Sequence, residues 1–147
     1  MVFIVSATGP IAADDWITSH EDLADSLRCT EEQKVDYAGL KFRGEAKNWW
    51  KSKKRHLTRE YGQGVPIPWE CFKREFNDNF FPRAQRQQCA RNFQDLKQGS
   101  MLVEQYSTEF QRLSRYAPNL ILDEELKAER FHDGLAPRIL ERIILSR

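Results

Sequence analysis

The chain has 147 residues, of which 40% are hydrophobic and 31% charged, with a formal net charge of +1. This length suits one ordinary domain or two very small ones, and the composition is that of a soluble globular chain rather than a disordered one. Its apolar runs fall far short of the ~20 residues that a membrane helix needs, so no membrane partner is expected.

The first residues, Met1-Val2-Phe3-Ile4-Val5, lack the basic lead and the apolar length of a signal sequence. Residues 1–13 are expected to form a loose N-terminal arm. From there the apolar positions recur at helical spacing. Trp16, His20, Leu23 and Leu27 fall on one stripe, with Asp14 or Asp15 available as N-cap. Thr30-Glu31-Glu32-Gln33 has the form of a capping box that starts a second helix, whose apolar side is Val35, Ala38 and Phe42. Gly44 breaks the pattern. A third helix carries Ala46, Trp49, Trp50 and Leu57 on one face, with Lys47, Lys51, Lys54 and Arg55 opposite.

Residues 61–68 read as a loop rich in glycine and proline. Pro68 then opens a helix that places Trp69, Phe72, Phe76 and Phe80 on a narrow stripe. Pro82 ends it, because the residue before a proline is pushed out of the helical region. A second series follows. Cys89, Phe93 and Leu96 line one helix, which Gly99 stops. Ser100 is a candidate cap for the next, which shows Val103, Tyr106, Phe110, Leu113 and Ala117. Asp123 caps a shorter helix ending at Gly134, a residue type suited to the position after a helix. Pro137 opens a last helix with Ile139, Leu140, Ile143 and Ile144 on a wide apolar face. No segment alternates with period two, so no sheet is expected.

The reading is therefore an all-α chain of two small lobes with about four helices each, one over 14–81 and one over 82–147. Each lobe is near the lower size limit for an independent core. The expected core residues are Trp16, Trp49, Trp50, Trp69, Phe72, Phe76 and Phe80 in the first lobe, and Tyr106 and Phe110 in the second. The charge is unevenly spread. Residues 1–36 hold eight acids against Arg28 and Lys34, and residues 41–59 hold eight bases against Glu45. Such faces could attract each other between neighbouring copies.

Chemistry is poorly represented. His20, His56 and His132 do not combine with Cys29, Cys71 and Cys89 into a metal-ligand spacing, and His20 on an apolar stripe reads as a core histidine. The odd number and wide spacing of the cysteines argue against a disulfide framework and for a reducing compartment such as the cytoplasm. Gly62-Gln63-Gly64 has no preceding strand and no third glycine, so a phosphate loop is not inferred. No nucleophile, base and metal set converges, so no catalytic residue, cofactor or small-molecule substrate is expected. The exposed basic row Lys47, Lys51, Lys54 and Arg55 is the candidate for nonspecific RNA contact.

In their order along the chain, Ala13-Asp14-Asp15-Trp16-Ile17, Cys29 to Val35, Gly44 to Trp50, Trp69 to Phe76, Phe80-Phe81-Pro82, Gln98 to Tyr106, Leu113 to Pro118 and Phe131 to Leu135 resemble the Gag capsid region of Ty3/gypsy-type long-terminal-repeat retrotransposons. The resemblance covers about residues 13 to 144. It implies a retroviral-capsid-like fold and self-association into a virus-like shell around the element's RNA. It also implies a two-fold contact in the second lobe, for which Leu102, Val103, Tyr106, Ile139 and Ile143 are candidates, although their stripe positions first assign them to the core. Chains of this kind usually continue into a zinc knuckle, which these residues do not contain. The alternative is a domesticated module of the same fold that dimerises or acts as an adaptor, without a shell and with nuclear location open to it.

Overall fold

A computed structural model describes residues 9–137 in full and the backbone of residues 3–4. Among the described residues there are seven α-helices. They are α1 (Gly9–Ser26), α2 (Glu31–Leu40), α3 (Glu45–Tyr61), α4 (Trp69–Phe80), α5 (Arg83–Gln94), α6 (Val103–Ser114) and α7 (Glu124–Gly134). A short 3-10 turn at Pro118–Leu120 lies between the last two. The chain is all-α in class. Its internal contacts divide it into two compact units, Met1–Arg83 and Ala84–Arg147.

In the first unit α1 starts at Gly9 and so takes in residues read above as part of the arm. Pro10 lies in its first turn, where a missing N–H costs nothing. Asp14 and Asp15 are consequently inside the helix and do not cap it. The buried stripe is Ala13, Trp16, Ile17, His20 and Ala24, while Leu23 and Leu27 are 48% and 68% exposed. The row from Trp16 through His20 runs on to Ala24 at the i+4 spacing, and Leu23 is turned about 100° away from Ala24.

The expected capping box forms. Thr30 Oγ1 accepts from the Gln33 N–H at 3.1 Å, and Gln33 Oε1 accepts from the Thr30 N–H at 2.9 Å. Val35 and Ala38 of α2 are buried. Gly39 lies against the Trp50 indole so closely that a Cβ there would come within 2.5 Å of Nε1, so any larger residue would force the indole to move. Beyond α2, Phe42–Arg43 pairs in parallel with Phe3–Ile4. This corrects the expectation of no sheet, because a pair two residues long is too short to leave an alternating pattern. Gly44, at φ +60°, then makes the left-handed step into α3.

The core of this unit is aromatic. Phe42 stacks on Phe72 and Phe76 with ring centroids 6.1 and 6.0 Å apart. Trp50 meets Phe72 edge-on at 4.8 Å, and Trp69 stacks on Phe72 at 5.2 Å. Trp16 closes over Phe42 and Phe76. Trp49 and Phe80 contact each other edge-on at 5.0 Å but are only partly buried. They form the rim of this core rather than its interior.

The second unit has a smaller ring cluster. Phe93 meets Phe110 at 5.0 Å, Phe110 meets Phe131 at 5.2 Å, and Tyr106 meets Phe131 at 4.9 Å. Hydrogen bonds complete it. The Tyr106 hydroxyl donates to the Phe131 carbonyl at 2.8 Å. Gln98, buried to 1% exposure, donates from Nε2 to the Met101 carbonyl at 2.8 Å and accepts at Oε1 from the Ala136 N–H at 2.9 Å. Its own N–H donates to the Gly134 carbonyl at 2.8 Å. Asp123 caps α7 through Leu126 N–H at 2.8 Å. Ser100 does not cap α6: the N-cap position is Leu102, whose N–H donates to Gln105 Oε1 at 2.9 Å. Gly134 is the last residue of α7 rather than the one after it, and a Cβ there would lie 2.0 Å from the Tyr106 hydroxyl. The helix expected after Pro137, with Ile139 and Ile143, lies outside the described residues.

Candidate functional site

An exposed basic row in the first unit lies on α3. Gly44 sets the start of this helix, and Ala46, Trp50 and Leu57 anchor its inner face. That packing turns Lys47, Lys51, Lys54 and Arg55 outward, all four exposed. None of them takes part in an ion pair among the described residues. Lys53, on the inner edge, does: its Nζ lies 3.3 Å from Glu75 Oε2. On the helical wheel Lys47 and Lys54 border the side facing α2, while Lys51 and Arg55 fan away from it.

A cleft of about 260 Å³ lies beside this row. Glu32 and Asp36 of α2 form one wall, and Lys54 and Thr58 of α3 form the other. The buried side chains of Val35 and Ile67 make its floor, with Val65 and Pro66 of the loop at its mouth. Sequence reasoning located the basic row but not the acidic wall beside it. Glu32 and Asp36 are one turn apart, which was legible, but their nearness to Lys54 is set by tertiary packing.

His20 is the most buried titratable side chain on α1. It is 1% exposed and stacks on Trp16 at 5.5 Å. Its Nε2 lies 2.9 Å from the Lys34 carbonyl and its Nδ1 2.8 Å from Lys41 Nζ. The carbonyl requires a donor at Nε2 and the ammonium requires an acceptor at Nδ1, so the ring is neutral. Burial pushes its pKa below the usual histidine value, against the Lys34 carbonyl bond, and the charges of Lys41 and Lys34 add to the fall. Lys34 is held in place by Asp25 at 2.5 Å, and that hydrogen bond raises its pKa. Beside it, the Trp69 indole N–H donates to Glu21, which also pairs with Lys73 at 3.2 Å. This polar layer is structural. Among the described residues no group of His, Cys, Asp and Glu side chains could hold a metal ion, and no helix is long and apolar enough to cross a membrane.

In the second unit Leu102 and Val103 are exposed at 65% and 37%, at the start of α6. Tyr106, named with them as a contact residue, is 1% exposed. Its hydroxyl and ring are both engaged inside the unit, so it belongs to the core and offers nothing to a neighbour. Met101, Glu104, Gln105, Thr108 and Glu109 line a shallow groove beside Leu102 and Val103.

The four bases of the α3 row face outward, and both ring nitrogens of the buried His20 are engaged within the unit. No curated protein and no solved structure matches the chain. The family model described as "Retrotransposon-derived protein PEG10, N-terminal capsid-like domain" matches residues 3–81, more than half of the 147 and nearly all of the first unit. The chain therefore belongs to the family of retrotransposon-derived, Gag-like capsid domains.

Proposed function

We propose that this chain is the Gag capsid protein of a Ty3/gypsy-type long-terminal-repeat retrotransposon, and that copies of it associate in the cytoplasm into a virus-like shell around the element's RNA. The family match over the first unit carries this reading. The role is structural. Each copy meets several neighbours through small contacts, and the number of contacts supplies the strength that each one lacks. Leu102 and Val103 contribute to a contact made by the second unit. Of the four bases in the α3 row, Lys47, Lys51 and Arg55 meet phosphates inside the shell, without base recognition, so RNA retention weakens steeply with salt.

The test is nuclease protection. The chain is expressed, particles are isolated by sedimentation, and RNA is extracted after ribonuclease treatment. Protected RNA in fast-sedimenting particles is expected, reduced by K51E/R55E. Discrete dimers with no protected RNA would overturn the shell reading and favour a domesticated adaptor.

A further inference from the structure

The cleft between α2 and α3 carries charges of opposite sign on its two walls. Glu32 and Asp36 face Lys54 and Thr58 across a floor of Val35 and Ile67. Glu32, Asp36 and Lys54 are all exposed, and none is in an ion pair among the described residues. Phosphate is a poor occupant here, because two carboxylates line the wall opposite the one ammonium. A partner must present both signs side by side, over an apolar strip.

A second copy of the same surface does so. When two such faces meet across a two-fold axis, the acidic wall of each copy lies against the basic wall of the other, so every contact occurs twice. Exposed single ion pairs contribute little, but a doubled set closing over Val65, Pro66 and the buried floor is shielded from water on both sides. We infer that the α2–α3 cleft is a self-complementary docking surface through which two copies of this chain pair. This rests on the self-association reading and adds to it a named face.

Sedimentation velocity on the full chain tests it at about 0.1 M and about 1 M salt, where the screening length falls from roughly 10 to 3 Å. Circular dichroism confirms that each variant folds, which is expected since all the altered residues are exposed. Wild type should associate more tightly at low salt. E32K/D36K and K54E, each alone, should weaken association about tenfold or more at low salt, since each reversal converts two attractions into repulsions. An equimolar mixture of the two variants should restore pairing. If association is insensitive to salt and to both variants, the shell reading stands but the cleft is not the contact. Failure of the mixture to pair overturns the proposal. So does an equal loss of single-stranded RNA binding in K54E and K51E with association untouched, which would make the cleft an RNA contact. A wild-type chain that stays monomeric in both salts overturns this inference and the self-association reading together.

Discussion

The two units solve the problem of small size differently. The first buries a continuous sheet of rings, with Phe42, Phe72 and Phe76 at 0% exposure and Trp16, Trp50 and Trp69 closed over them. Its polar layer at His20 and Lys34 is secondary to that burial. The second has four clustered rings and relies on one buried amide, Gln98, to join the loop after α5 to the end of α7. A core held by area should lose stability in proportion to the atoms removed. A core held by a hydrogen-bond bracket should fail when one side chain is shortened.

All four tryptophans lie in the first unit, so their fluorescence reports on that unit, while circular dichroism follows both. The largest effect expected is from Phe72→Ala, which should cost the first unit about 3–5 kcal/mol through the cavity it leaves. Denaturant unfolding followed by fluorescence would measure this, and a loss below about 1 kcal/mol would contradict the area-based account. Next is Gln98→Ala, which leaves the Met101 carbonyl and the Ala136 N–H without partners and should cost the second unit about 1–3 kcal/mol. Its signature is an earlier dichroism transition with the tryptophan transition unmoved. A shift in both would mean that the two units do not unfold separately.

Acid should act on the first unit through His20. Its folded pKa is below the unfolded value, so the unfolded chain binds more protons in between. Stability therefore falls as pH drops from about 6.5 toward the folded pKa, by at most about 1.4 kcal/mol for each pH unit. The slope should vanish in His20→Gln, whatever that variant's stability at neutral pH. The smallest change is Thr30→Ala, which removes half of a capping box and should cost about 1 kcal/mol by thermal unfolding.

Much of this was legible in the chain. The Trp69, Phe72, Phe76 stripe follows directly from i, i+3, i+4 spacing, and the Thr30 box from residue type alone. The arm expected over residues 1–13 gives way to α1 from Gly9, since proline is at home in a first helical turn. Leu23 and Leu27 were placed inward by hydrophobicity, when the smaller Ala24 is what fits beneath α1. Tyr106 was given two roles that burial makes exclusive. The pairing of Phe3–Ile4 with Phe42–Arg43 and the acidic wall opposite Lys54 join residues distant in sequence, and no local pattern encodes them. The basic row of α3 was visible, but its sign-balanced neighbour was not, and that neighbour changes what the face can bind.

The central claim is that copies of this chain assemble. Negative-stain microscopy of the purified protein at high concentration tests it most directly. Closed, shell-like particles are the predicted result; a field of monomers at every concentration and salt tried would contradict it.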